Sequence, residues 1–208
     1  MNVSRRRYMG AKGGGILPAG YTQVEYIENT STAYIDTGVQ GNENTQISLD
    51  IHPSGGASTN NYYIGCSNVQ SATTTPNIAA YVSGSWAYAR LNITTSTRQS
   101  TSGLSGRKLI RKNGNVVEFV GTSKTLTFTF SEETYTTDGN ILFLVTSHNK
   151  QVQSTYFTYA KIYGATIDNV RNFVPCISPD NVVGLYDTIG NQFYSSPNGV
   201  EFVAGNPV

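Results

Sequence analysis

The chain has 208 residues, a formal net charge of +1, 13% charged residues, 21 glycines and 14 tyrosines, a profile that suits extracellular β-proteins with polar, uncharged surfaces. Two cysteines in a chain of this length exclude a disulfide framework, so Cys66 and Cys176 are expected to be free, buried thiols. No segment approaches the length of a transmembrane helix, which excludes a membrane-spanning role of that kind.

Residues 1–20 are predicted to be a flexible basic arm. This segment contains Arg5, Arg6, Arg7 and Lys12 and no acidic residue, which leaves ten basic against thirteen acidic residues in the rest of the chain. A charge asymmetry of this kind indicates that the arm has its own partner. Docking onto an acidic protein surface and weak, nonspecific contact with nucleic acid both fit four cations.

Residues 21–208 are predicted to form one β-domain, because apolar side chains recur at a period of two. Ile47, Leu49 and Ile51 alternate with polar residues, and Leu126, Phe128 and Phe130 alternate with threonines. About a dozen strands without helices between them favour two packed antiparallel sheets. Further strands are expected at Val24–Ile27, Tyr34–Asp36, Tyr62–Cys66, Trp86–Ile93, Ile141–Val145, Tyr156–Tyr163, Asn172–Val174 and Val182–Tyr186.

The dipeptide Asn113-Gly114 predicts a β-hairpin. It separates the segments 109–112 and 116–119, and a two-residue turn of this type has positive φ at both central positions. The run Ile141–Val145 is apolar without interruption, so both faces of that strand must be covered, by loops of the chain or by another subunit.

Three stretches together resemble laminin-G-like domains of the concanavalin-A-like superfamily, in a form common in proteins of gut bacteria and their phages. They are the opening motif within Tyr21–Val39, the hairpin at Asn113-Gly114, and the closing motifs from Arg171 to Gly205. The resemblance implies an antiparallel jelly-roll sandwich of two curved sheets, used for adhesion, glycan binding or virion decoration.

No residues suit a retaining glycosidase and no Gly-x-Ser-x-Gly motif is present, and we expect neither an enzyme nor a bound cofactor or metal. A retaining glycosidase needs two carboxylates about 5.5 Å apart, whereas Glu132 and Glu133 are adjacent and predicted to lie in a solvated turn, and Asp50 has no acidic residue two or four positions away. His52 and His148 have no neighbours at metal-ligand spacing.

The predicted strand at Trp86–Ile93 is the best candidate for a binding surface. It places Trp86, Tyr88, Arg90 and Asn92 on one face, and sugars stack on aromatic rings while hydrogen-bonding to Arg and Asn. The alternative is that this face points inward and the two aromatic residues are core.

The function expected from these observations is that of a non-enzymatic structural protein of a bacteriophage particle, as a capsid decoration, fibre or tail component. It would be homo-oligomeric, contact other virion proteins through its arm, bind glycans and not membranes. Met1–Gly15 contains no apolar stretch of the about 7–15 residues that a secretory signal needs, which fits a particle released by lysis. A secreted bacterial carbohydrate-binding module is the alternative.

Overall fold

The protein is all-β over the residues that the computed structural model describes, which are 16–55, 61–66, 77–144 and 158–208. Within these ranges eighteen strands form two antiparallel sheets, and no helix is long and apolar enough to cross a membrane. The arm cations predicted to dock a partner, namely Arg5, Arg6, Arg7 and Lys12, lie outside the described residues, as do Val145 and His148.

The strands of the described residues follow one another with short connections. In chain order they are β1 Thr22–Gln23, β2 Ile27–Asn29, β3 Ile35–Asn42, β4 Ile47–Pro53, β5 Asn61–Cys66, β6 Asn77–Ser83, β7 Trp86–Asn92, β8 Thr94–Thr95, β9 Gln99–Ser100, β10 Lys108–Asn113, β11 Val116–Val120, β12 Thr125–Thr129, β13 Thr136–Phe143, β14 Ala160–Ile167, β15 Arg171–Ile177, β16 Val183–Asp187, β17 Gln192–Tyr194 and β18 Val203–Ala204.

The first sheet has the order β12-β11-β10-β4-β14-β15-β16-β17, with β1 beside β15 and the pair β2-β18 beside β14. The second sheet has the order β3-β13-β5-β6-β7-β8, with β9 also on β7. Both contribute to one apolar core, in which Phe143 of the second sheet and Phe173 of the first meet edge to face at 6.0 Å between ring centroids. Two antiparallel sheets around a shared core are consistent with the predicted β-sandwich.

The predicted hairpin is confirmed, but its turn is displaced by one residue. Asn113 is the last residue of β10 and pairs with Val116, so the central turn residues are Gly114 and Asn115. Of these only Gly114 has a positive φ, at 55°, which is the pattern of a turn with glycine at its first central position. The asparagine side chain gives this turn a second anchor, because Asn115 Nδ2 donates to the Phe130 carbonyl at 2.7 Å.

The apolar run that begins at Ile141 is covered within the chain over its described part. Ile141 and Phe143 point into the shared core, whereas Leu142 points out of the sandwich. Leu142 is nevertheless only 6% exposed, because it forms a small outer cluster with tyrosine side chains that include Tyr62 and Tyr34. Of the two covers predicted for this strand, the intramolecular one is therefore present.

The predicted strand at Val24–Ile27 is interrupted. Val24 makes an isolated bridge to Pro207, and regular pairing resumes only at Ile27. The chain bends here because Val24 donates to β15 through the Pro175 carbonyl, whereas Glu25 donates to Asn206 near the C-terminus. The two cysteines are buried and free, as predicted.

Candidate functional site

The hairpin β6-β7 turns the candidate binding residues away from the core. Ala87 and Ala89 are completely buried in the shared core, so the alternate residues Trp86, Tyr88 and Arg90 project from the outer side of the second sheet. The alternative that this aromatic face is core is therefore wrong. Small alanines facing inward let the sheet approach the core closely, while the large side chains occupy the outside.

Three tyrosines form a row across the outer side of the second sheet, which we call the tyrosine ladder: Tyr62, Tyr81 and Tyr88. They are direct cross-strand partners on β5, β6 and β7. The rings of Tyr62 and Tyr81 are 4.4 Å apart at 25°, and those of Tyr81 and Tyr88 are 5.0 Å apart at 4°. Each such aromatic contact contributes about 0.5–1.5 kcal/mol beyond burial, so the ladder is a rigid platform.

Stacking within the ladder decides which atoms a ligand can reach. The ring faces of Tyr81 are occupied by its neighbours, while Tyr81 and Tyr88 are only partly buried and therefore present ring edges and hydroxyls. Burial raises the pKa of Tyr62 and of Tyr81 above the usual value. Their hydroxyls are therefore protonated at physiological pH, when they can donate as well as accept hydrogen bonds.

Trp86 stands at the end of this face nearest the β6-β7 turn, two residues before Tyr88. Trp86 is the only tryptophan of the chain, and it is 37% exposed. The guanidinium of Arg98 lies over the indole at 4.3 Å from the ring centroid. Arg98 is exposed and makes no ion pair with any described residue, so this end of the face combines an aromatic surface with an accessible cation.

Arg90 lies beside the tyrosine ladder and serves the sheet itself. It is 7% exposed, and its Nη2 donates to the Ile93 carbonyl at 3.0 Å, which fixes the chain after β7. Desolvation lowers the pKa of Arg90, while the nearby Tyr81 and Tyr62 act in the opposite direction. Its buried guanidinium therefore packs beside the tyrosines and is poorly accessible to a ligand.

Asn92 does not belong to the same surface as Trp86. The two residues lie at opposite ends of β7, which at about 3.3 Å per residue separates them by roughly 20 Å. Asn92 has a φ of 54°, and its Nδ2 donates to Glu133 Oε2 in a cleft at the end of the sandwich. The structure thus brings Trp86, Tyr88 and Arg90 onto one face but places the fourth candidate elsewhere.

The end cleft has a volume of about 430 Å³ and lies between the two sheets. Glu132 and Glu133 are exposed at its rim, as the predicted solvated turn requires, and Glu43 accepts the Tyr135 N–H at 3.2 Å. Among the described residues no group of three or more His, Cys, Asp and Glu is arranged to hold a metal ion. The lining residues are Glu43, Asn44, Leu91, Asn92, Thr94, Gly114, Asn115, Phe130, Ser131, Glu132, Glu133, Thr134 and Tyr135.

Sequence reasoning missed Tyr62, Tyr81 and Arg98. A signal for one of them was present, because Gly84-Ser85 is a two-residue turn of the Gly-X type and Gly84 has a φ of 54°. Counting back from that turn pairs Tyr81 with Tyr88. The pairing of Tyr62 with Tyr81 joins segments separated by residues 67–76 and had no local signal.

No family model matches the chain, and no curated protein sequence matches it. The resemblance to laminin-G-like domains therefore stays a prediction from the residues quoted above.

Proposed function

We propose that this chain is a non-enzymatic, glycan-binding structural protein of a bacteriophage particle. The observation that carries the glycan-binding part is the outward tyrosine ladder with Trp86 beside it, two residues from Tyr88 on the same strand. An ordered row of aromatic rings and hydroxyls offers apolar contact to sugar C–H groups and hydrogen bonds to sugar hydroxyls. A rigid aromatic platform also loses little side-chain entropy on binding.

The two sheets with a shared core fit a jelly-roll sandwich of the laminin-G-like kind, which we propose as the topology. Pairing between the two ends of the described chain supports this, because β2 near the N-terminal side pairs with β18 near the C-terminus. The absence of catalysis is part of the same proposal. It is supported by Asp50, whose carboxylate is engaged by Arg107 in two hydrogen bonds at 2.8 and 2.7 Å.

The placement on a virus particle is supported by the charge of residues 1–20. Four cations and no acid in this arm, against an excess of acid in the remainder, suit attachment to an acidic surface of another particle protein. Decorations and fibres follow the symmetry of their platform, so the proposal includes homo-oligomerisation.

The glycan-binding proposal is tested by Trp86→Ala on a glycan array that covers host mucosal and bacterial surface polysaccharides, followed by calorimetric titration of the best ligand. We expect affinity to fall at least about tenfold, or about 1.4 kcal/mol. The exposed contact between Trp86 and Arg98 stabilises the fold by about 0.5–1 kcal/mol. The melting temperature is therefore expected to fall by no more than about 2–4 °C.

Ile189→Ala is the matched control, because Ile189 is also an exposed large apolar residue, at 49%, but lies in the connection between β16 and β17 of the first sheet. It should leave glycan binding unchanged. Unchanged binding by Trp86→Ala, or a fall in melting temperature well beyond the stated range, would contradict the proposed site.

The second candidate is a secreted bacterial carbohydrate-binding module, which the same aromatic face favours. The two differ in the arm: exchange of Arg5, Arg6, Arg7 and Lys12 for serine in the full chain should abolish incorporation into particles if the arm is the anchor. Normal incorporation of a variant with an unchanged far-UV spectrum would contradict the role of the arm as the anchor. Absence of the unaltered chain from particles would contradict the virion assignment, and neither outcome would affect the glycan-binding proposal.

A further inference from the structure

We infer that the glycan bound at the outer aromatic face carries a carboxylate, and that Arg98 on Trp86 is the group that binds it. The inference rests on the proposed glycan-binding function and adds the charge class of the ligand. It comes from a comparison of the cation–aromatic pairs at the surface of the described part of the molecule.

Three such pairs have an exposed or partly exposed cation over a ring. In two of them the cation is neutralised by an acid of the chain. Arg107 lies 3.8 Å from the Tyr163 ring centroid and makes its ion pair with Asp50 at 2.7 Å. Lys161 lies 4.0 Å from the ring centroid of Tyr26 and makes an ion pair at 3.9 Å.

The third pair is Arg98 on Trp86, at 4.3 Å, and it has no acidic partner among the described residues. The pair therefore lacks the one component that completes the other two. A carboxylate supplied by a ligand would occupy the position that Asp50 holds against Arg107.

The geometry at Trp86 suits this role. The guanidinium of Arg98 lies over the indole and makes no ion pair with a described residue, so its N–H groups are open to the two parallel hydrogen bonds by which an arginine fork binds a carboxylate. Stacking also restrains the long arginine side chain before the ligand arrives, which reduces the entropy lost on binding.

A second cation strengthens the positive potential at this end. Ser100 is the cross-strand partner of Trp86, and Lys124 Nζ donates to the Ser100 and Ser102 carbonyls at 2.9 Å each. Lys124 likewise makes no ion pair within the described residues.

At the other edge of the second sheet, Asp36 on β3 accepts a hydrogen bond from Asn140 at 2.9 Å. The face is therefore positive at the Trp86 end and negative at the β3 end. A bound acidic glycan would place its carboxylate at the positive end and its neutral sugars along the tyrosine ladder.

The test uses the full chain and pairs of array glycans that share a backbone and differ only in charge, such as sialylated against desialylated chains and uronic-acid chains against their methyl esters. Binding to the best pair is then titrated through the fluorescence of Trp86, which reports on this site alone because it is the only tryptophan. We expect the carboxylate member to bind about tenfold more tightly at low salt, with the difference shrinking in 0.5 M NaCl because salt screens exposed charges.

Arg98→Gln should abolish the difference within the pair by lowering the affinity for the carboxylate member to that for the neutral member. Arg111→Gln is the charge-matched control, since Arg111 is exposed on β10 of the first sheet, and it should keep the difference. Equal binding of both members, or preference for sulfated over carboxylated chains, would overturn this inference while glycan binding stands. No binding to any glycan would overturn the proposed function together with it.

Discussion

The two outer faces of the molecule use the same side-chain types in opposite ways. On the first sheet Tyr26 and Tyr163 pack at 5.5 Å between ring centroids, and each ring carries a cation that is paired with an acid. On the second sheet the tyrosine ladder stacks on itself, and the adjacent Trp86 carries a cation that makes no ion pair with any described residue. The two faces therefore differ in the charge that accompanies their aromatic rings, which is neutralised within the chain on the first face and not by a described residue on the second.

The first face is also closed sterically. A Cβ added at Gly205 would come within 2.9 Å of the Tyr26 ring, so the C-terminal segment lies directly against that ring. Trp86, by contrast, carries the Arg98 guanidinium and is more than one third exposed. The contrast shows that a count of exposed aromatic residues is a poor guide to binding. Which groups of the same chain already contact each ring is a better one.

The largest expected effect tests whether the two sheets depend on one shared core and unfold together. Phe173→Ala removes a ring that meets Phe143 of the other sheet and Tyr194 at 5.3 Å, and it should lower the free energy of unfolding by about 3–5 kcal/mol. The fluorescence of Trp86 reports on the second sheet, while far-UV circular dichroism reports on both sheets. In urea titrations both signals should shift to lower denaturant together.

Phe173→Leu, which keeps most of the apolar volume, should show a much smaller and equally coincident shift. A tryptophan transition that stays in place while the circular dichroism transition moves would mean that the two faces unfold separately, contrary to a shared core.

The second effect concerns two neighbouring basic residues at the start of β10 that point in opposite directions. Arg107, immediately before the strand, points outward and is paired, whereas Lys108 is 7% exposed, points toward the interior and has no hydrogen bond or ion pair with described residues. Burial lowers the pKa of Lys108 to about 8. Because the unfolded chain holds this proton up to about pH 10.4 and the folded chain releases it near pH 8, the contribution of Lys108 to stability should rise as pH increases from 8 to 10. Burial lowers the pKa of Lys112 to about 8 as well, so it acts in the same direction, whereas burial raises the pKa of Cys66 and of Cys176, and their contribution falls over this range.

With allowance for solvent screening, Lys108→Met should add of the order of 1 kcal/mol to the free energy of unfolding at pH 7, and this gain over the unaltered chain should shrink as the pH rises from 8 to 10. Urea midpoints of both chains at pH 7 and pH 9.5 measure both effects. Lys161→Met is the control, because the pKa of Lys161 is raised, mainly by its hydrogen bond to Tyr26, and this variant should show no gain that shrinks over that range. An unaltered pH dependence in Lys108→Met would show that another group carries it.

The smallest effect is expected from Asp50→Asn, which opens the closed pair on the first face. The ion pair is exposed at Arg107 and partly exposed at Asp50, so its loss should reduce the free energy of unfolding by only about 0.2–1 kcal/mol, and less at high salt. Thermal unfolding at low salt and in 0.5 M NaCl measures this change. A loss above about 2 kcal/mol would show that the network on the first face is a stability element rather than a neutralised surface.

The all-β class and the hairpin at β10-β11 followed from the sequence, because period-two patterns and glycine turns are local signals. It was harder to predict which side chains of a strand point into the core. In Lys108-Leu109-Ile110-Arg111-Lys112, Ile110 points inward together with the two lysines, so the register set by β4 prevails over the preference of lysine for water. A local pattern that mixes charge and apolar residues on both faces cannot determine that outcome.

The candidate site was predicted in part for the same reason. The alternation along one strand predicts that Trp86, Tyr88 and Arg90 share a face. It does not predict whether that face points to the core or to solvent, because the alanines on the opposite face suit either environment. Tyr62 and Arg98 reach this face through strand pairing and a turn back onto β7, which are tertiary features. The alternation also predicted Asn92 on this face, but the chain bends there, where φ becomes positive, and Asn92 lies elsewhere.

The meeting of the two chain ends has a mechanical consequence. Val24 faces Pro207, and the next contacts inward are Glu25 N–H to the Asn206 carbonyl and Gly205 N–H to the Tyr26 carbonyl, both at 2.8 Å. Because the two segments run antiparallel, tension that reaches Val24 from one side and Pro207 from the other would load these hydrogen bonds one after another instead of all at once. On the N-terminal side the pairing of β1 with β15 comes before these contacts and takes the load first, whereas a pull through a ligand on the second sheet would not act along them.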